Sequence, residues 1–165
     1  MKIVMLTIIL LAFQSFAFSL DSLIKQQTFL LDEIQLMRND QSVNFGATYE
    51  EVLAAFGPPT SSEPYEYEMK GTTGYLLQYG KCKIYIEEDS LYSWELQDGS
   101  IALGRFDQFF RIGDDEQKIQ EVFPEILQRG SVSINLKLKD LPLECTSMVI
   151  RSIDGKISKV SKFEC

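Results

Sequence analysis

The segment that most constrains this chain is Phe45-Gly46-Ala47-Thr48-Tyr49-Glu50-Glu51-Val52-Leu53-Ala54-Ala55-Phe56-Gly57-Pro58-Pro59. Thr48 followed three residues on by Glu51 has the form of a capping box, in which each side chain satisfies a backbone donor left open at a helix start. Gly57 and Pro58 stop that helix after about two turns. Val52, Leu53 and Phe56 give it a single apolar face. So short a helix is unstable alone in water and has to dock on a sheet.

The same order of jobs recurs 67 positions later, in Ile112-Gly113-Asp114-Asp115-Glu116-Gln117-Lys118-Ile119-Gln120-Glu121-Val122-Phe123-Pro124. Gly46 falls on Gly113, the capping Thr48 on Asp115, Val52 on Ile119, Phe56 on Phe123 and the stopping Gly57 on Pro124. Alternating strands follow each copy: 65–69, 75–79, 81–87 and 91–96 after the first, 132–138, 146–152 and 156–163 after the second. The expected fold class is α+β, with two tandem units of short helix plus antiparallel meander at 45–104 and 105–165. Phe106, Phe109 and Phe110 lie in the connector, where they would seal the two units together. Ahead of them, in segment 20–44, Asp21 and Ser22 can cap an amphipathic helix running to about Arg38, with Leu23, Leu30, Ile34 and Met37 near one face. The polar stretch 39–44 reads as a loop.

At the start of the chain, Lys2 precedes an apolar run from Ile3 to Phe13, which Gln14, Ser15 and the small-residue pattern Ala17-Phe18-Ser19 close. That order is a secretory signal peptide cleaved after about Ser19. The run is too short for a membrane anchor, which needs about 20 apolar residues. No cysteine follows it for acylation, the first being Cys82. The exported chain, periplasmic or secreted, then keeps 15 basic and 24 acidic residues, a net charge of −9. Such a chain repels nucleic acid and anionic lipid, so neither is an expected partner.

Export makes the three cysteines candidates for a disulfide. Asp154-Gly155 reads as a hairpin turn. With a three-residue loop through Lys156, Ile153 faces Ile157, Ile150 faces Val160 and Cys145 faces Cys165. The expected bridge is therefore Cys145 to Cys165, leaving Cys82 unpaired. The alternative is three buried thiols.

Catalytic chemistry finds little support. The chain has no histidine, which removes the commonest general base and the usual partner of a nucleophilic Ser or Cys. The acidic runs Glu87-Glu88-Asp89 and Asp114-Asp115-Glu116 lack the spaced ligands and glycine of a calcium loop and read as solvated turns or helix starts. Gly71-Thr72-Thr73-Gly74 has no P-loop lysine after it and reads as a hairpin turn. No metal or cofactor is expected.

The remaining signal is aromatic. Tyr65, Tyr67, Tyr75, Tyr79, Tyr85, Tyr92 and Trp94 all fall on strands of the first unit, and Tyr and Trp bring large contact area at low entropic cost. Packing under the helices is the competing role, favoured for Trp94. Tyr65 and Tyr67 share a face and alternate with Glu66 and Glu68, which favours a surface. The candidate partner-binding residues are Tyr65, Tyr67, Tyr75 and Tyr79.

A glycine, a short capped helix ending in Phe-Gly-Pro and an aromatic-rich meander together resemble one superfamily. Its members include the small lipoprotein of the outer-membrane β-barrel assembly machine and the tandem-repeat β-lactamase inhibitory proteins. Gly46 to Pro59 carries the first copy of the motif and Gly113 to Pro124 the second. The resemblance implies a non-enzymatic exported protein that binds another exported or envelope protein through its sheet, as an inhibitor or an assembly factor. The lipidation cysteine is missing here, and no loop matches the inhibitors' plugging loop, so no functional residue carries over. Two other readings stay open: a carboxylate-based hydrolase of cell-wall material, and a structural envelope component.

Overall fold

Alternation of buried and exposed residues at a period of two runs through most of the chain, as in Cys82-Lys83-Ile84-Tyr85-Ile86, where the first, third and fifth are buried. The structure is a computed structural model that describes residues 28–67, 71–126, 130–137 and 146–164. Strands make up 57% of the described residues and helices 14%. In chain order the elements are β1 (Thr28–Leu30), a 3-10 turn (Leu31–Glu33), β2 (Ile34–Arg38), β3 (Gln41–Asn44), α1 (Tyr49–Phe56), β4 (Ser61–Tyr67), β5 (Thr72–Tyr79), β6 (Cys82–Glu87) and β7 (Ser90–Leu96). Then come β8 (Ala102–Arg105), β9 (Gln108–Phe110), α2 (Gln117–Val122), β10 (Val132–Lys137), β11 (Thr146–Ile153) and β12 (Lys156–Glu164).

Eight strands form one sheet in the order β1-β10-β11-β12-β7-β6-β5-β4, and four form another in the order β3-β2-β8-β9. One continuous apolar cluster joins them, with Leu36, Val43, Leu103 and Phe110 from the small sheet and Leu77, Ile84, Trp94 and Ile150 from the large one. Into it α1 inserts Val52 and Phe56, the latter meeting Tyr79 edge-to-face with ring centroids 5.8 Å apart. Truncating a buried phenylalanine of this kind costs about 3–5 kcal/mol.

The α+β expectation is overturned on two points. The first is the N-terminal helix, since residues 28–38 instead form β1, a 3-10 turn and β2. The buried residues there are Phe29, Leu31, Ile34 and Leu36, two period-two pairs set off by the turn. Apolar residues are dense enough in this stretch to fit either period, and hydrogen bonding to neighbouring strands decides it. β2 pairs with β3 on one side and β8 on the other, so the expected loop at 39–44 is a tight turn and a strand.

The second correction is that there are no separate helix-plus-sheet units. Val160 pairs with Leu96 and Ser161 with Glu95, so β12 lies against β7 and the strands expected of both units merge into one sheet. The segment taken as a connector supplies β8 and β9 of the small sheet. Phe110 is buried in the shared core, whereas Phe106 is 64% exposed beneath the Arg105 guanidinium. What the 67-residue spacing captures is a loop-to-helix device used twice. Gly46 (φ +82°) donates to the Leu91 carbonyl at 3.0 Å and Gly113 (φ +98°) to that of Ile157 at 2.8 Å. In return Leu91 donates to Ala47 and Ile157 to Asp114. The expected capping box is present, with Glu51 N–H donating to Thr48 Oγ1 at 3.2 Å and Thr48 N–H to Glu51 Oε2 at 2.8 Å.

The β11–β12 hairpin pairs Ile150 with Val160 as expected, but by another route: a two-residue turn at Asp154-Gly155 and a bulge that leaves Ser158 unopposed. The expected Cys145–Cys165 bridge and the signal peptide both lie outside the described residues.

Candidate functional site

Strand register sorts the sequence-predicted tyrosines. Tyr65 pairs with Gly74, which pairs with Glu87, while Glu63, Leu76, Tyr85 and Ser93 lie side by side in the next row. Directly paired residues share a face. Tyr65, Tyr85, Glu63 and Glu87 therefore stand together on the face of the large sheet turned away from the core. Tyr67 pairs with Thr72 at the end of β4. Tyr75 and Tyr79 take the opposite face. Tyr79 is 1% exposed, donates its hydroxyl to the Gly57 carbonyl at 3.0 Å and lies under the Arg38 guanidinium. Burial raises its pKa, with the Arg38 charge opposing. It is a core residue beyond a partner's reach. Tyr75, 46% exposed at the margin of the core face, meets Tyr49 of α1 with ring centroids 5.0 Å apart.

The outward face is organised around Tyr85. Its ring meets Tyr65 edge-to-face at 5.3 Å, a geometry that the ring quadrupole favours. Its hydroxyl donates to Glu95 Oε1 at 3.0 Å, and Lys159 Nζ on β12 donates to Glu95 Oε2 at 2.9 Å. Hydrogen bonding from Lys159, aided by Tyr85 and opposed by burial, holds the Glu95 carboxyl below its ordinary range. Burial and the Glu95 carboxylate push the Tyr85 hydroxyl well above its ordinary value, so it stays a neutral donor. Four strands thus fasten one aromatic pair. Both tyrosines are half-buried, so each keeps surface to offer.

Glu87 extends the site. Only 8% exposed, it accepts from the Thr72 hydroxyl through Oε1, and its Oε2 finds no donor among the described residues. Gly74, between Tyr65 and Glu87, has to be glycine, because a Cβ there would stand 1.7 Å from the Ile86 carbonyl oxygen. The β6 backbone therefore stands close against β5 at that point.

Among the described residues no three carboxylate or cysteine side chains lie close enough to hold a metal ion. Asp114 and Asp115 work locally: Arg111 N–H donates to Asp114 at 2.9 Å and Gln117 N–H to Asp115 at 3.0 Å. Glu88 and Asp89 form the β6–β7 turn, both with positive φ, as expected of solvated turn residues. The sequence marks Tyr65 as a candidate and Tyr85 only as one of the strand aromatics, it ends an expected strand on Glu87 without giving that carboxylate a role, and it carries no sign of Glu95 or Lys159. Parity along β6 could have joined Tyr85 to Glu87, but the link from Glu95 to Lys159 spans 64 residues and exists only through the β7–β12 pairing. No protein-family model, curated protein or solved structure matches this chain.

Proposed function

We propose that this chain is a non-catalytic exported protein that binds another exported or envelope protein through the face carrying Tyr65 and Tyr85. The observation that carries the reading is the preorganised aromatic pair. Tyr65 lies on the edge strand β4, half-buried against Tyr85, whose own position is fixed through Glu95 and Lys159. Aromatic rings held before binding lose little freedom on docking, which is why tyrosines dominate binding energy at protein interfaces. Glu63 lies exposed beside the pair on a chain of net charge −8, so the complementary surface is basic.

The test is affinity capture from the exported protein fraction by the mature chain and its Tyr65→Ala variant. A partner retained by wild type should bind the variant about 2 kcal/mol more weakly, roughly thirtyfold in Kd. Equal affinity for both, or no partner retained, overturns the proposal.

A further inference from the structure

Among the described residues the two sheets have four edges that no further strand covers, and they are unequally protected. β1 and β9 are each three residues long. β4 carries Pro64 opposite Tyr75, and a proline inside a paired strand turns its donorless nitrogen to the open side, so that edge lacks an N–H at its middle. β3, Gln41-Ser42-Val43-Asn44, has neither proline nor charge, the usual devices that blunt an edge.

The phase of the β2–β3 ladder tells which backbone groups β3 leaves open. Asn39 (φ +53°) and Asp40 (φ +60°) form a two-residue primed turn, which makes Arg38 and Gln41 a mutually hydrogen-bonded pair. At the other end Phe45 N–H donates to the Ile34 carbonyl at 3.3 Å, in the same phase. Antiparallel alternation then turns the N–H and C=O of Ser42 and the N–H of Asn44 away from β2. The Asn44 carbonyl also turns outward, where it accepts from Ala47 N–H at 3.2 Å.

Alongside this edge runs α1, and an open groove of about 570 Å³ lies between them. That is within the usual range for sites holding a bound ligand. Glu51, Ala54 and Ala55, at helical spacing, form the far wall, the two alanines leaving the width. Among the described residues no basic side chain lines the groove, and Glu51 brings a carboxylate.

We infer that this groove takes up an extended segment of a partner polypeptide as a fifth strand of the small sheet, with a lysine or arginine directed at Glu51. The open groups of Ser42 and Asn44 supply the main-chain hydrogen bonds, and the helix wall selects the side chains. This surface is separate from the tyrosine face and stands on different observations.

The experiment pans the full exported chain against a random twelve-residue phage-displayed peptide library. Enriched synthetic peptides are then titrated against wild type and an Ala54→Arg variant. The expected peptides alternate β-branched residues and carry at least one Lys or Arg. Methylating two alternate backbone nitrogens should weaken binding by at least about tenfold, as should Ala54→Arg, with its denaturation midpoint unchanged. Enrichment of no peptide or of acidic peptides overturns the inference, as does a methylated peptide that binds equally well. So does a dimer of the chain that Ala54→Arg breaks, since the edge would then be taken by a second copy.

Discussion

Replacing Tyr65 and Tyr85 by alanine, singly and together, measures whether the outward aromatic pair is a constructed feature or two neighbours in casual contact. The rings meet edge-to-face at 5.3 Å, a geometry worth about 0.5–1.5 kcal/mol beyond the area it buries. Tyr85→Ala also removes the hydroxyl that serves Glu95. A hydrogen bond to a charged acceptor is worth about 1.5–3 kcal/mol when buried. Here the pair is only partly buried and Lys159 remains on the other oxygen, so roughly 1 kcal/mol is expected, measurable alone as the loss in Tyr85→Phe. The assay is urea unfolding of wild type, both single variants and the double variant, followed by tryptophan fluorescence from the buried Trp94. The two single-variant losses added together should exceed the double-variant loss by about 0.5–1.5 kcal/mol, because the ring contact between them is counted in both single variants but lost only once in the double. A coupling below about 0.3 kcal/mol is the additivity of independent sites and would refute the claim that Tyr85 holds Tyr65 in place.

Gly74→Ala brings a Cβ to 1.7 Å from the Ile86 carbonyl oxygen, so β5 and β6 have to separate. A loss of about 3 kcal/mol or more is expected in the same unfolding assay, and a loss under about 1 kcal/mol would mean that the close crossing is not required. Asp98 accepts from Lys81 N–H at 2.5 Å, Ser100 N–H at 2.9 Å and the Cys82 thiol at 3.3 Å. Burial alone would raise its carboxyl, but the Ser100 hydroxyl together with these donors outweighs it and brings the pKa from 3.8 down to about 2. A depressed carboxyl stabilises the fold above its unfolded pKa, and that contribution is lost as pH falls through about 2. The shift corresponds to at most about 2.4 kcal/mol, and solvent screening of a side chain that water still reaches brings it to roughly 1 kcal/mol. Asp98→Asn should therefore lose roughly 1 kcal/mol at pH 7, a deficit that narrows between pH 4 and 2; a deficit independent of pH would disprove this role for the charge. Non-reducing peptide mapping of the exported protein should find residues 1–19 removed, Cys145 joined to Cys165 and Cys82 free. A bridge to Cys82, or three free thiols, contradicts the expected pairing.

Local chemistry was the legible part of the fold. Thr48 with Glu51, and Gly57 after Phe56, specify a capped helix and its end without reference to the rest of the chain, and both stand in the structure. Most strands were also visible through their alternation. What could not be read was which strands become neighbours. Residues 28–38 carry apolar side chains at spacings that fit a helix or a strand, and pairing with β3 and β8 settles the matter. The primed turn at Asn39-Asp40, two residues that tolerate positive φ, was the local sign that a hairpin and not a loop follows. Likewise the tyrosines were countable in the sequence, but their division between core and surface follows from parity against partner strands. Tyr79 and Tyr65 look alike in composition; one lies under α1 and the other faces out. The Glu95–Lys159 link depends on β12 lying beside β7, a long-range choice with no local signature.

In the proposed complex the Tyr65 face meets the partner. A photo-crosslinking phenylalanine placed at position 65, and in a second variant at Ile153, tests it most directly, since Ile153 is 65% exposed on the distant β11–β12 hairpin. Irradiated in cells that export the protein, position 65 should yield one dominant crosslinked species of higher mass and position 153 none. The same crosslinked species from both positions, or from 153 alone, would contradict the claim.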